Sequence, residues 1–199
     1  MCFEDFGDST TISEEEIWFR RAVASGFNKE DIVTGIGGGM AMVSHWPYGD
    51  KEAYIASESE YEYDHSYNPE KAKEYLAKSK QPDGCTMTLT TAGTFEQQAT
   101  IMMEDLRKIG ITVNVEVLDG TGFNAKMAEA TGYDMGIYNI SLNPNGARFK
   151  FVADPSSSTN RAHYVNDEML AQFNAALAEP DEAKRNEIYK AIQIKIAED

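Results

Sequence analysis

The sequence is poor in cysteine, histidine and positive charge. Its 199 residues include 2 cysteines and 3 histidines, and 18 lysines and arginines stand against 33 acidic residues. Cys2 and Cys85 have neither metal-binding nor redox spacing, and they cannot form a framework of several disulfides. The net charge of -15 argues against nucleic acid and anionic lipid surfaces as partners, because both repel an acidic protein.

Long apolar runs are also missing. No stretch reaches the ~18 apolar residues of a membrane-spanning helix, and no charged-then-apolar leader opens the chain. We therefore expect this chain to be soluble. An apolar content of 42% suffices for the core of one ordinary domain, so residues 1–199 are predicted to form a single domain.

Several helices are predicted from their capping residues. Ser13 with Glu16, and Thr94 with Gln97, have the spacing of a capping box, in which side chains and backbone amides bond reciprocally. Further helix starts are predicted at Asn28, at Asn68 with Pro69, at Asn166, and at Pro180 or Asp181. In the last two helices the side chains predicted to face inward are Leu170, Phe173, Leu177, Ile188, Ile192 and Ile196.

Residues 86–140 have the pattern of a β-α-β-α-β core. Two segments, 86–90 and 111–117, alternate as strands, and "YDMGIY" at 133–138 begins a third. One helical face between them carries Phe95, Ala99, Met102, Leu106 and Ile109. Crossovers of this kind are right-handed and give parallel strands with helices packed on the sheet, so the predicted class is α/β with a mostly parallel sheet.

Residues 40–67 lack periodicity and are predicted to form a long loop. Loops of this length are often binding or covering loops, although a solvated tether is about as consistent with the tyrosines and acids here. Within the loop, Trp46 beside His45 is a candidate for stacking on a ligand; ordinary packing of His45 is the simpler interpretation.

Polar side chains follow the third strand. Ligands of open parallel sheets bind outside the carboxyl ends of the strands, and three loops reach that edge: 91–94, 119–121 and 139–148. Ordinary turn chemistry is the alternative explanation. The candidate ligand-binding residues are Tyr138, Asn139, Ser141, Asn143, Asn145 and Arg148, with the aromatic residues Trp46 and Phe95.

Recognisable catalytic and metal-binding patterns are missing. The three histidines are widely separated, and neither HExxH nor CxxC occurs. Ser141 is not part of a GxSxG elbow, and "GIGGG" at 35–39 follows a helix instead of opening one. We therefore predict no catalytic residues, no metal and no cofactor.

An ordered series of motifs resembles a known family, the solute-binding proteins of ABC importers of the oligopeptide, dipeptide and nickel class (extracellular solute-binding protein family 5). The similarity extends from about Ser13 to Asp199. It is carried by "FRRAVASGFNKEDIV", "YNPEKAKEYLAKS", "MMEDLRKIGITVNVEVLDGTGF", "YDMGIY", "AHYVNDEMLAQF" and "RNEIYKAIQIKIAED", in the order and at the spacing typical of that family.

The resemblance implies a periplasmic-binding-protein-like fold of type II, in which two lobes enclose a solute, with this chain as the second lobe. It implies a peptide or peptide-like solute and ABC permease subunits as partners. The implied location is extracytoplasmic, at the periplasm or cell surface. Contact with a membrane would then come only through a lipid anchor on the full-length protein or through the permease.

The sequence departs from the family pattern just beyond the third strand. The family usually has an aromatic residue followed by an acid that receives the amino terminus of a peptide. Here the acid aligns at or next to Asn143, and the tryptophan is replaced by Ile140 or Ser141. An amide cannot balance a buried ammonium. Arg148 suggests an anionic group on the solute, although a solvent-facing arginine is the simpler interpretation. The rival functions are a small α/β hydrolase-like enzyme using Ser141 and a solute-sensing signalling module.

Overall fold

A computed structural model of the chain describes residues 12–36, 41–43, 60–64, 66–129, 132–139, 154, 156–158 and 160–198. Helices and strands alternate through the middle of these residues. The helices are α1 Glu14–Gly26, α2 Lys29–Ile36, α3 Pro69–Leu76, α4 Glu96–Arg107, α5 Gly120–Glu129, α6 Asp167–Ala178 and α7 Glu182–Glu198. The strands are β1 Cys85–Ala92, β2 Ile111–Leu118 and β3 Met135–Ile137.

The chain divides into two compact units. The first comprises Met1–Asp5, Ser13–Val43 and His65–Asn139, and the second Phe6–Ile12, Ser44–Asp64 and Ile140–Asp199. The predicted β-α-β-α-β series lies in the first unit. That residues 1–199 form one lobe of a larger protein stays a prediction. The predicted loop at 40–67 lies mainly outside the described residues.

The sheet has the order β2-β1-β3. Both pairings are parallel, as the sequence predicts. Cys85 is level with Ile111 and Ala92 with Leu118, so β1 and β2 begin and end together. Because β1 is central, it is buried more completely than its neighbours: Met87, Leu89, Thr90 and Thr91 are at most 1% exposed.

At the amino ends of β1 and β2 the two backbones approach closely at a pair of glycines. Gly84 and Gly110 have φ angles of 87° and 95°, in the left-handed region that favours glycine. A Cβ on Gly84 would lie 2.2 Å from the carbonyl oxygen of Gly110. The backbones therefore meet too closely at this edge for any larger residue at position 84.

Helix α4 packs on β1 and β2, and helices α1 and α3 pack on each other, with α1 also against α4. The Ser13–Glu16 capping box forms as predicted, and Asn68 caps α3 with Pro69 in its first turn. The Asn68 amide also donates to the Ser25 carbonyl at 2.9 Å. At the end of α1, a Cβ on Gly26 would lie 2.7 Å from Ile109 Cδ1.

Two buried carboxylates join segments that are distant in sequence. Asp105 of α4 accepts from the Asn28 amide, 77 residues away, at 2.8 Å, and from Lys108 Nζ at 2.6 Å. Asp134, 6% exposed, accepts from the Thr88 amide of β1 at 2.7 Å. The Asp134 amide donates back to the Thr88 carbonyl at 2.9 Å, so this aspartate extends the β1–β3 pairing by one residue.

In the second unit, α6 and α7 pack together. Their core consists of Met169, Phe173, Ala176, Tyr189 and Ile192, flanked by Tyr164, Ile188 and Ile196. Asn166 caps α6, as predicted. The prediction that Leu177 faces inward is wrong: it is 49% exposed, whereas Ala176 is fully buried. The buried face runs through Met169, Phe173 and Ala176, so Leu177 lies off that face.

The segment 60–64 of the second unit is fastened to α7. Tyr61 and Tyr63 are buried, Lys190 pairs with Glu60, and the Glu62 amide donates to Glu198 at 3.4 Å. Burial raises the pKa of the Tyr61 hydroxyl, and the neighbouring Glu60 and Glu198 carboxylates raise it further. The described end of the predicted loop is therefore packed and not a solvated tether.

Candidate functional site

The carboxyl ends of the three strands lie side by side. Thr91 of β1 is level with Val117 of β2 and with Ile137 of β3. The segments that begin at Gly93, Asp119 and Tyr138 therefore leave the sheet at one edge. This is the edge at which open parallel sheets bind their ligands, and we define these three segments as the candidate site.

The first segment is a 3-10 turn, Gly93–Phe95. Phe95 is half-buried and stands at the N-cap of α4 without a side-chain cap. The predicted Thr94–Gln97 capping box is thus wrong, because the 3-10 turn delays the start of α4 to Glu96. A Cβ on Gly93 would meet nothing nearer than Val117 Cγ1 at 3.9 Å, so the first segment leaves open space beside the strand end.

The second segment is built around Asp119. Its Oδ1 accepts from the Gly122 amide at 2.7 Å, and its carbonyl accepts from the Phe123 amide at 2.8 Å. Asp119 therefore caps the first turn of α5, a common role for this residue at a helix start. Nothing lies within 4 Å of a Cβ placed on Gly120, so the chain at this turn is open to solvent.

Val117 gives the edge an apolar component that the sequence pattern does not reveal. It is 40% exposed, in contrast with Val113 at 5% on the same strand. Alternation along β2 predicts the same inward direction for both side chains. Position along the strand makes the difference, since Val117 lies near the carboxyl end, where less of the protein covers it. An exposed apolar group there is available to a ligand.

The third segment contains the described part of the predicted site. Tyr138 is half-buried and Asn139 is exposed. The Thr91 hydroxyl, on a residue that is 0% exposed, donates to the Ile137 carbonyl at 3.2 Å and lies 3.3 Å from the Ala92 carbonyl. Thr91 begins the predicted loop 91–94 but is not among the predicted site residues, because a threonine in a strand is also an ordinary strand residue.

Tyr138, Asn139 and Phe95 are thus placed on segments of one edge. The other predicted site residues lie outside the described residues and stay predictions: Trp46, Ser141, Asn143, Asn145 and Arg148.

The charge nearest this edge on β2 is compensated. Glu116 accepts from the Thr90 hydroxyl at 2.8 Å and is paired with Lys126 of α5. The hydrogen bonds from Lys126 and from Thr90 lower the pKa of the Glu116 carboxyl. Glu116 therefore stays ionised and fastens α5 to β2, instead of serving as a proton donor.

Neither a metal site nor a membrane helix is found in the part of the chain that the structure describes. No group of three or more histidine, cysteine, aspartate or glutamate side chains there could hold a metal ion. None of its helices combines the length and apolar character needed to cross a membrane. What the edge offers to a ligand is aromatic, apolar and amide groups.

Comparison with known proteins gives a family. The profile of the family described as bacterial extracellular solute-binding proteins, family 5 middle, matches residues 15–161. Di/tripeptide-binding protein 2 of Pseudomonas aeruginosa is 27% identical over 186 residues, covering 87% of this chain and 34% of that protein. Glutathione-binding protein GsiB of Pectobacterium atrosepticum is 24% identical over 190 residues, covering 89% and 36%. The chain spans about a third of the length of these relatives.

Solved structures show the fold. HbpA2 from Haemophilus parasuis superposes with a TM-score of 0.84 at 20% identity, over 97% of this chain and 39% of that one. The oligopeptide-binding protein AppA from Bacillus subtilis, solved with a nonapeptide, gives 0.76 at 22% identity, over 97% and 42%. The α/β architecture is that of type II periplasmic-binding-protein-like folds, as predicted. With three quarters of its length matched by the family profile, the chain belongs to family 5 of the bacterial extracellular solute-binding proteins.

Proposed function

We propose that this chain is one lobe of the substrate-binding component of an ABC importer and that it captures peptides or peptide-like solutes when two lobes close. The observation that carries the proposal is the family match over residues 15–161. The functions named for the two relatives, di/tripeptide binding and glutathione binding, favour a small peptide-like solute. Capture by lobe closure requires no covalent chemistry.

The geometry of the edge supports binding over catalysis. Val117 offers exposed apolar surface, Asn139 an exposed amide, and Tyr138 an aromatic ring with a hydrogen-bonding tip. A hydrolase would need a nucleophile within hydrogen-bonding reach of a base. Since Ser141 is the proposed nucleophile of the rival enzyme, its distance from the nearest histidine in an experimental structure discriminates the two functions.

The partners follow from the family. We infer that ABC permease subunits receive the closed, loaded protein, and that the full-length protein acts outside the cytoplasm, attached to the membrane by a lipid anchor. Members of this family are extracellular solute-binding proteins. Neighbouring genes for permease and ATPase subunits would support import and argue against a signalling module.

The cargo is expected to differ from an ordinary free-amine peptide. The resemblance places Asn143 where the family usually has an acid, and an amide leaves a buried ammonium without a counter-charge. Arg148 would instead suit an anionic group of the solute. Both residues are assigned to the site by the sequence alone.

Native mass spectrometry of the gently purified full-length gene product tests the proposal. We expect a small solute to be retained and released on denaturation. Release of a peptide-sized mass lacking a free amine would support the role inferred for Asn143, whereas a free-amine peptide would place the counter-charge elsewhere. Reproducible hydrolysis of a peptide or ester, abolished by Ser141→Ala, would contradict a binding function.

The chain by itself is expected to bind weakly. One half of a cleft supplies only part of the contacts and leaves the solute in water. Isothermal titration of the 199-residue chain with trialanine should therefore show no sub-micromolar affinity. A sub-micromolar dissociation constant would refute the division of the site between two lobes.

A further inference from the structure

Two adjacent threonines of β1 bridge the central strand to different neighbours. Thr90 and Thr91 are both 0% exposed, and successive side chains of a strand point to opposite faces of the sheet. The Thr90 hydroxyl donates to the Glu116 side chain of β2 at 2.8 Å. The Thr91 hydroxyl donates to the backbone carbonyl of Ile137 in β3 at 3.2 Å. The Thr91 hydroxyl also lies 3.3 Å from the Ala92 carbonyl of its own strand. Among the neighbouring strands, Thr90 bonds to β2 and Thr91 to β3.

The Thr91 bond acts at the residue where β3 ends. β3 pairs with β1 over three residues, and Ile137, level with Thr91, is the last of them. Tyr138 and Asn139 follow directly. A carbonyl oxygen has two lone pairs, and the buried Thr91 hydroxyl supplies this one with a side-chain donor. A three-residue pairing is short, so one added bond at its end has a large share in fixing the exit of the chain.

We propose that Thr91 is a positioning residue of the candidate site: its hydroxyl fixes the point at which β3 leaves the sheet, and so holds Tyr138 and Asn139 in place to meet the solute. The second half of this statement rests on the proposed function. The first half concerns only this chain.

Three variants separate the role of the hydroxyl from general packing. Thr91→Val keeps the branched shape and removes the donor. Thr91→Ser restores the hydroxyl. Thr90→Val is the matched control, because it removes a hydroxyl of equal burial that donates to β2 and not to β3. Chemical denaturation establishes that all three variants fold.

The direct readout is NMR of the 199-residue chain labelled with ¹³C and ¹⁵N. In Thr91→Val the Ile137 carbonyl resonance should move upfield, as expected for a lost hydrogen bond, and the amide signals of Tyr138 and Asn139 should shift with it. Thr91→Ser should return them toward the wild-type positions, and Thr90→Val should leave them in place. If Thr91→Val leaves the Ile137 carbonyl unchanged, or if Thr90→Val moves it equally, the positioning role is refuted.

Binding by the full-length gene product tests the second half, with trialanine and glutathione as probes. Loss of one hydrogen bond of ordinary strength corresponds to a roughly five- to ten-fold weaker affinity in Thr91→Val, recovered in Thr91→Ser and nearly absent in Thr90→Val. Equal losses in both valine variants would overturn the proposal. If the wild type binds neither probe while the carbonyl shift and its rescue are observed, the positioning role stands and the peptide-binding function fails.

Discussion

Replacement of Asp134 by alanine tests how β3 is joined to the sheet. The carboxylate is 6% exposed and accepts from the Thr88 amide at 2.7 Å. Alanine would leave that amide without its acceptor in a partly buried position. Hydrogen bonds to charged groups contribute about 1.5–3 kcal/mol, and an unsatisfied buried donor costs a similar amount. We expect Asp134→Ala to lower the free energy of unfolding by about 2 kcal/mol.

Urea denaturation measures the effect. With a slope of roughly 2 kcal/mol per molar urea, typical of small domains, a loss of about 2 kcal/mol moves the midpoint by roughly 1 M. Tryptophan fluorescence and far-UV circular dichroism should report the same shift. Asp134→Asn keeps an acceptor oxygen without the charge and should lose about half as much. Asp83→Ala, at an exposed aspartate, should change stability by less than about 0.5 kcal/mol.

The pattern across the three variants tests the role of the bond. If Asp134→Ala is as stable as Asp83→Ala, the hydrogen bond to Thr88 does not hold β3. If Asp134→Asn loses as much as Asp134→Ala, the negative charge matters and not the acceptor, and the short strand is held by electrostatics beyond this single bond.

Three further predictions concern stability. Because the pKa of Glu116 is lowered from 4.5 in the folded state, its ionised form contributes stability at neutral pH that is lost as pH falls below 4.5; Glu116→Gln should flatten that part of the stability profile, and an unchanged acid limb would contradict the shift. Phe173→Ala should cost about 3–5 kcal/mol and Leu177→Ala well under about 1 kcal/mol in thermal unfolding, since the first is fully buried and the second 49% exposed; equal losses would refute the observed register of α6. Gly84→Ala should lower the free energy of unfolding by more than about 1 kcal/mol, because the new Cβ would clash with a backbone carbonyl. Gly35→Ala, with open space around it inside α2, should raise the free energy of unfolding by about 0.5–1 kcal/mol. Urea midpoints that move in the same direction in both variants would contradict this contrast.

Local signals made much of the fold predictable. The caps at Ser13, Asn68 and Asn166 form between residues three apart, so the sequence contains both partners. The strand order along the chain follows from alternation and helical stripes in the same way. Two local predictions are wrong. A 3-10 turn forms where the Thr94 cap was predicted, and the buried face of α6 passes through Ala176 instead of Leu177.

Contacts between distant segments could not be read from the sequence. No sequence pattern near Asp105 indicates that its carboxylate accepts from the Asn28 amide. No pattern near Asp134 indicates that its carboxylate accepts from the Thr88 amide. At the candidate site the sequence identifies the edge from topology and names Tyr138, Asn139 and Phe95. It misses Val117, whose exposure depends on what covers the strand end, and Thr91, whose partner belongs to a strand 46 residues away.

The amino and carboxyl edges of the sheet differ in whether they have room for new side chains in place of glycine. Gly84 meets the Gly110 carbonyl so closely that position 84 admits no side chain. At the opposite edge, a methyl group on Gly93 would have no neighbour nearer than 3.9 Å, and one on Gly120 would have none within 4 Å. New side chains can therefore be introduced at the carboxyl edge, whereas the amino edge has no room for one at position 84. A library randomised at positions 93 and 120 would vary the candidate site without repacking the core.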